Sequence, residues 1–199
     1  MWYAQTQPLF TVVLRSSSML IIPNTKFVFV HIPRTAGNFI TRSIVSNIAF
    51  THSFNCSMWN KAPMHRHSTI DEIREVYPQI ESYDVFAVDR DYSEIIKSDM
   101  RLWQCCQDHQ LPDSFTDQER EWLSAARLND IASFKRLRWD AWIGEDLTPW
   151  DFWCDNTVKK IPYERLSSEW TSLCKRAGCE SEIVYERIDW QKRRYSSGI

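Results

Sequence analysis

The sequence predicts an α/β protein with a central parallel sheet that is flanked by helices. Three short runs have the β-branched or aromatic composition of strands, and each is followed by a segment whose apolar residues have helical spacing. A chain of 199 residues with 43% hydrophobic content is long enough for one core and short for two domains. The predicted strands lie within residues 20–30, 83–88 and 157–161.

The predicted helices alternate with these strands, as in a parallel α/β sheet. Two of the helices carry terminal signals: Ser68, followed by Asp71, resembles a capping box, and Gly178 follows the last helix as a C-cap. The pattern predicts helices over residues 38–49, 68–78, 93–107, 117–139 and 167–177, with loops over residues 50–63 and 111–117.

Residues 1–18 lack a clear periodicity and are interpreted as an N-terminal extension outside the core domain. Residues 19–199 form the single predicted domain. Met19 is a candidate natural start, because the recognisable pattern of strands and helices begins there.

The composition limits the partners that can be expected. A formal net charge of −2 gives no general attraction to nucleic acid or to an anionic membrane, so anion binding must come from local clusters. The six cysteines have no zinc-like spacing, which favours a reduced, cytoplasmic protein. The apolar residues between 9 and 22 are interrupted by Arg15 and three serines, so we expect neither a membrane span nor a signal peptide.

The turn after the first strand has the features of an anion-binding loop. Residues 27–41, FVFVHIPRTAGNFIT, read as a strand, a small-residue turn and the start of a helix. The N-terminus of a helix offers backbone N–H donors and the positive end of the helix dipole, which suits phosphate or sulfate. An ordinary strand-to-helix turn is the alternative. The turn is not a Walker loop, because it lacks the Gly-Lys-Ser/Thr ending.

Residues 31–38, HIPRTAGN, resemble the H-I-P-K-T-A-G-T turn of sulfotransferases that use 3′-phosphoadenosine 5′-phosphosulfate (PAPS), above all the glycan sulfotransferases. In that family the turn binds the 5′-phosphosulfate. Arg34 stands where lysine is usual, and Asn38 stands where serine or threonine is usual; Asn38 could instead only cap the helix. The resemblance implies a 5′ site made by Arg34, Thr35, Ala36, Gly37 and Asn38.

A second motif follows the second predicted strand. The segment VFAVDRDYSEIIKSDMRL resembles F-x-V-R-[DN]-P-x-x-R-x-x-S, in which the arginine and the serine hold the 3′-phosphate. Arg90 and Ser98 match at that spacing, whereas Asp89 and Tyr92 depart from the pattern. An arginine at a strand end and a hydroxyl two helical turns later can contact one ligand group. Ordinary surface residues are the alternative.

The C-terminal third contains two further resemblances. The YERL…CKRAG region is similar to a scaffolding turn and helix of the family. Residues 189–197 resemble a basic loop that covers the nucleotide in some members, which implies roles for Arg194 and Tyr195; a solvated tail is the alternative. Animal Golgi members carry a membrane anchor that is not found here, so the resemblance implies a bacterial or viral setting.

His67 and His65 are the candidate bases for an acceptor hydroxyl, because imidazole titrates near neutral pH. Family members that act on uronic acids carry a similar H-x-H. The two histidines could instead be surface polar residues. No third ligand accompanies them, so the pair is not expected to bind a metal.

Four tryptophans crowd a short segment that follows the predicted 117–139 helix. They could wall a substrate pocket or stack on sugar rings, and packing in the core is the alternative reading. They are Trp139, Trp142, Trp150 and Trp153.

The resemblance implies transfer of a sulfuryl group from PAPS to a hydroxyl, most simply on a carbohydrate. Such transfer depends on positioning and charge neutralisation and requires no metal. Arg34 can neutralise the departing phosphate but cannot donate a proton to it, since the pKa of arginine stays above about 12. A degenerate module that binds adenosine 3′,5′-bisphosphate (PAP) or a sulfated glycan without turnover is the alternative. A nucleotide kinase is disfavoured by the missing Gly-Lys.

Overall fold

The computed structural model describes residues 20–45, 47–48, 67–105 and 115–179. Several predictions lie outside these ranges. They concern the extension 1–18, the loop 50–63, His65, most of the loop 111–117, and the basic segment 189–197 with Arg194 and Tyr195.

Within these described residues, a four-stranded, mostly parallel sheet forms the centre of the fold, which confirms the predicted α/β class. The strands are β1 (Leu20–Ile22), β2 (Phe27–Val30), β3 (Asp84–Asp89) and β4 (Lys159–Pro162). Their order in the sheet is β1-β2-β3-β4, with β2, β3 and β4 parallel and β1 antiparallel at the edge. The ends of β2, β3 and β4 therefore meet at one edge of the sheet.

The interpretation of residues 20–30 as one run into the first strand is wrong. Pro23–Thr25 forms a 3₁₀ turn, and Lys26 follows in the left-handed region with φ of 52°. Proline lacks a backbone N–H and suits the first position of such a turn, so the chain reverses there. The segment becomes an antiparallel pair, with Leu20 opposite Phe29.

The helices surround the sheet. The regular α-helices are α1 (Gly37–Val45), α2 (Ile70–Val76), α3 (Tyr92–Gln104), α4 (Asp117–Arg127), α5 (Ile131–Phe134), α6 (Ala141–Ile143), α7 (Pro149–Trp153) and α8 (Leu166–Ala177). Gly178 follows α8 with φ of 83°, which confirms the predicted C-cap.

The capping box of α2 lies one residue later than predicted. The side chain of Thr69 accepts a hydrogen bond from the N–H of Glu72, and the Glu72 carboxylate accepts one from the N–H of Thr69. Ser68 is instead fully buried. Glutamate reaches back to the cap more readily than the shorter Asp71, so the threonine and glutamate pair sets the start of the helix.

The single helix predicted over residues 117–139 is wrong. Asn129 adopts φ of 56°, a left-handed conformation that ends a helix. The side chain of Asp130 then accepts a hydrogen bond from the N–H of Ser133 and starts α5. A π-helical turn, Lys135–Asp140, follows α5 directly.

The sheet is covered on both faces. Phe27, Phe29 and Phe86 point to the face that α1 and α8 cover, whereas Val28 and Ala87 point to the opposite face, which the remaining helices cover. Alternate residues of a strand point to opposite faces, so nearly every position of β2 and β3 is buried.

The tryptophan segment divides between core and surface. Trp139 and Trp153 are fully buried, which confirms for these two tryptophans the alternative of packing in the core. Trp142 keeps 41% of its surface exposed. Within the described ranges, the helices are too short or too polar to cross a membrane.

Candidate functional site

The candidate site lies at the edge where β2 and β3 end. The chain leaves β2 at Val30 and enters the loop 31–36 before α1, and it leaves β3 at Asp89 and enters α3 after Asp91. These two connections are neighbours because β2 and β3 are adjacent parallel strands. Ligands of open α/β sheets bind in the crevice beyond the carboxyl ends of the strands.

The backbone of the loop has the form of an anion-binding nest. Arg34 and Ala36 have φ of 67° and 70°, and they alternate with Thr35 and Gly37, which are outside the left-handed region. Such alternation turns successive N–H groups toward one concavity. The first helical hydrogen bonds run from Phe39 and, one residue later, Ile40 to the carbonyl of Ala36. Asn38 is therefore inside the first turn, and the alternative in which it caps the helix is wrong.

The side chain of Thr35 serves the loop itself. Thr35 is fully buried, and its hydroxyl donates to the carbonyl of Ile32 at 2.8 Å. This bond pins the loop, and it leaves the backbone N–H of Thr35 as the group that can face an anion.

The glycine of the loop leaves space for His31. A Cβ atom built on Gly37 would lie 1.9 Å from Cδ2 of the His31 imidazole, far below any real contact. His31 is buried beside Phe29, with which its ring stacks at 5.7 Å between centroids. The small residue predicted for backbone approach to an anion thus has a second role, because the imidazole packs directly on the helix start.

The side chain of Arg34 crosses from the loop to α3. Its Nη2 atom donates to the carbonyl of Ser98 at 2.8 Å and to the Ser98 hydroxyl at 3.0 Å. Its Nε atom is buried and has no hydrogen-bond partner among the described residues. The predicted 5′ residue Arg34 and the predicted 3′ residue Ser98 are therefore in direct contact.

Arg90 lies against the same loop. Its Nη1 atom donates to the carbonyl of Arg34 at 3.1 Å, and its guanidinium lies 4.5 Å from the centroid of the Tyr163 ring. A salt bridge of 3.8 Å joins it to Glu94. The structure thus brings Arg34, Arg90 and Ser98 together, although 64 residues separate the first from the last.

Positive charge is concentrated around the Arg34 guanidinium. Burial lowers the pKa of Arg34 below its usual value; Asp99 acts in the opposite direction, and Arg90, Arg101 and Arg138 lower the pKa further. Three guanidinium groups are thus close enough to Arg34 to repel its charge, and Asp99 is close enough to attract it. An anionic ligand would relieve this repulsion.

His67 adjoins the start of the loop. Its Nδ1 atom lies 2.9 Å from the carbonyl oxygen of His31, and the two imidazole centroids are 4.5 Å apart. A carbonyl oxygen can only accept, so Nδ1 carries the proton, and in the neutral imidazole the lone pair lies on Nε2. Trp153 donates to the His67 carbonyl at 2.7 Å. The ring of the partly exposed Trp142 lies edge-on to the His67 ring, with 6.4 Å between the ring centroids.

Three neighbours of the loop were not predicted from the sequence: His31 as a packing partner, Asp99 and Arg138. Asp99 follows Ser98 directly, and an acidic residue beside the motif was an available signal. Arg138 lies 39 residues beyond Asp99, in a segment whose break is not visible in the helical pattern. The described residues contain no group of three or more His, Cys, Asp or Glu side chains that could hold a metal ion.

The chain matches no protein-family model, no curated protein and no solved structure. The resemblance to sulfotransferases therefore depends on the sequence motifs alone.

The contact between Gly37 and His31 predicts that Gly37→Ala is harmful. The added methyl overlaps the His31 ring, so we expect a loss of about 1–3 kcal/mol in the free energy of unfolding. Chemical denaturation measures this loss. Ala36→Gly is the control in the same loop, since it removes a methyl at positive φ and should change stability by less than about 1 kcal/mol. Equal stability of Gly37→Ala and the wild type would contradict the contact.

Proposed function

We propose that this protein is a sulfotransferase that moves the sulfuryl group of PAPS to a hydroxyl of an acceptor, with carbohydrates as the acceptor class. The observation that carries the proposal is the meeting of Arg34, Arg90 and Ser98 at the carboxyl ends of β2 and β3. These residues belong to two separate motifs that resemble the two phosphate motifs of one family. The finer fold that we propose is the P-loop-like sulfotransferase architecture.

The residues present suit a ligand with two anionic ends. The nest of the loop, with the N–H groups of residues 35–38, offers donors for the 5′-phosphosulfate. Arg90 and Ser98 are assigned to the 3′-phosphate. Ser98 accepts a hydrogen bond from Arg34, and its hydroxyl keeps its own proton to donate to a ligand. Arg194 and Tyr195 remain predicted contacts to the nucleotide.

Two side chains are assigned to the chemistry. PAPS supplies an activated sulfuryl group, and Arg34 neutralises negative charge on the phosphate side of the bond that breaks. His67 accepts the proton of the acceptor hydroxyl on Nε2, because its Nδ1 proton is held by the His31 carbonyl. The guanidinium cannot protonate the departing phosphate, so charge neutralisation is its whole contribution.

The acceptor is assigned to the aromatic side of the site. Trp142 is partly exposed, is supported by Trp153 at 4.9 Å between ring centroids, and lies beside His67. An indole face suits the apolar face of a sugar ring while the hydroxyls of the sugar stay free to react.

A binding module without turnover is the second candidate, and one observation favours it. The Arg34 guanidinium is bonded to Ser98 and faces Asp99, so it is engaged within the protein. Such a module would hold PAP or a sulfated glycan at the same residues.

Donor binding is the first property to test. We expect PAP to bind in calorimetry, and we expect the affinity to fall at least about tenfold when the 3′-phosphate is absent, since a charge-assisted contact is lost. Arg90→Gln should reduce PAP affinity by a similar factor. Arg165→Gln is the matched control, because Arg165 is an exposed arginine that is paired with Glu169 and is not assigned to the donor. Preference for ATP over PAP would contradict the proposal and favour a kinase.

The role of His67 predicts a specific loss of turnover. His67→Ala should lower the rate with labelled PAPS and an acceptor panel by about 100-fold, the usual contribution of a general base. PAP affinity should not change, because His67 is assigned to the acceptor. Unchanged turnover in this variant would remove His67 from the role.

The arginine of the loop distinguishes the enzyme from the binding module. Arg34→Lys restores a side chain that can neutralise and also protonate the departing phosphate, so we expect turnover to rise about tenfold or more at saturating PAPS. The rate of PAP release from labelled PAPS measures the effect. Absence of turnover in both proteins, with PAP still bound, would favour the binding module.

A further inference from the structure

Asp99 is a buried carboxylate whose contacts extend to two parts of the chain. It is 2% exposed, and it lies on α3 directly after Ser98. A buried charge is costly unless it is paired and hydrogen-bonded. The candidate partners of Asp99 are Arg138 from the π-helical turn and Arg34 from the loop.

Arg138 holds one oxygen of this carboxylate firmly. Its Nε atom donates to Oδ2 of Asp99 at 2.6 Å. The guanidinium of Arg138 also lies 4.5 Å from the centroid of the Trp122 ring and 5.3 Å from that of Trp103. This stacking fixes the position of Arg138, and so the Asp99 carboxylate has a fixed orientation.

The other oxygen of Asp99 faces a donor that it does not reach. Oδ1 lies 4.0 Å from Nε of Arg34, which exceeds a hydrogen-bond distance. That Nε atom is buried and has no hydrogen-bond partner in the described part of the chain. An unpaired buried donor is unfavourable, and a shift of about 1 Å would pair it with Asp99.

Ser98 and Asp99 both offer acceptors to the Arg34 guanidinium: the carbonyl and hydroxyl oxygens of Ser98, and Oδ1 of Asp99. In the structure, Arg34 is bonded to Ser98 through Nη2, and these are the residues assigned to opposite ends of the donor. An anion that takes the Nη2 donors of Arg34 must displace them from the carbonyl and the hydroxyl of Ser98. The Nε–H group then needs an acceptor, and Oδ1 of Asp99 is the carboxylate oxygen that faces it.

We propose that Asp99 is a positioning residue for Arg34: when an anion occupies the loop, Arg34 leaves Ser98, and its Nε–H group donates to the Asp99 carboxylate. The exchange leaves the Ser98 oxygen able to accept from the ligand as well as to donate to it, and it releases the Nη2 donors of Arg34 for the ligand. The hydrogen bond from Arg138 keeps the Asp99 carboxylate in the orientation in which Oδ1 faces Arg34. This proposal rests on the proposed function, in that the anion is the phosphosulfate end of the donor.

Simple electrostatics makes the opposite prediction, which gives the proposal a sharp test. A carboxylate near an anion site repels the anion, so loss of its charge would tighten binding. If Asp99 instead positions Arg34, Asp99→Asn weakens PAP binding, because a neutral acceptor holds a guanidinium less well than a carboxylate does.

The first experiment uses calorimetry with PAP on four proteins: the wild type, Asp99→Asn, Arg34→Lys and the double variant. We expect Asp99→Asn to lower PAP affinity about tenfold in the wild-type background and to have little effect in the Arg34→Lys background, where no guanidinium is present. Asp84→Asn is the control, since Asp84 is a salt-bridged carboxylate at the opposite end of β3, paired with Arg176 and Lys159. Tighter binding by Asp99→Asn, or an equal loss in both backgrounds, overturns the proposal.

The second experiment needs no variant of Asp99, so it can be carried out even if Asp99→Asn does not fold. In the wild-type protein with ¹⁵N-labelled arginine, hydrogen exchange of the Arg34 Nε–H group is measured with and without PAP. The signal is assigned by its loss in Arg34→Lys. We expect exchange to slow about tenfold or more with PAP, since a new hydrogen bond protects the proton. An unchanged exchange rate at saturating PAP overturns the proposal and leaves the proposed function intact.

The same measurement with inorganic sulfate separates this proposal from the proposed function. Slowed exchange with sulfate, in a protein that does not bind PAP, supports the role of Asp99 and contradicts PAPS as the donor. Failure of both PAP and sulfate to bind overturns both proposals.

Discussion

The candidate site depends on the contacts of one residue, Arg34. Its side chain bonds to Ser98 on α3, and its carbonyl accepts a hydrogen bond from Arg90 at the end of β3. Arg34 is only partly exposed, and the donors that it buries need acceptors inside the protein, because water does not reach them. The loop after β2 is therefore bonded to the residue that follows β3 and to α3, and the elements that carry the two sequence motifs are held together.

Close packing around the loop supports this contact from the other side. The ring of His31 lies where any side chain at residue 37 would be, and the carbonyl of His31 is bonded to His67. Trp153 in turn donates to the carbonyl of His67. His67, the loop and Trp153 are thus packed together, so a substitution in one of them is expected to displace its neighbours.

Local signals predicted much of the fold, and they failed where the chain reverses or breaks. The parallel strands, α1, α3 and the Gly178 cap follow from apolar runs and small residues that act over a few positions. The β1–β2 reversal and the break at Asn129 did not, because they depend on single residues in unusual backbone conformations. The cap at Thr69 was displaced by one residue, which is the ordinary error for an element boundary.

The sequence by itself determined the α/β class and the strand–loop–helix unit at residues 27–45, and it singled out Arg34, Arg90 and Ser98 as candidate residues for binding an anion. Only the tertiary structure decided that Arg34 and Ser98 contact each other, that Arg138 pairs with a buried Asp99, and that His67 meets the carbonyl of His31. The physical reason is the range of the interactions. Hydrophobic period and turn chemistry act between near neighbours in the chain, whereas buried charges choose their partners only after distant segments have packed together.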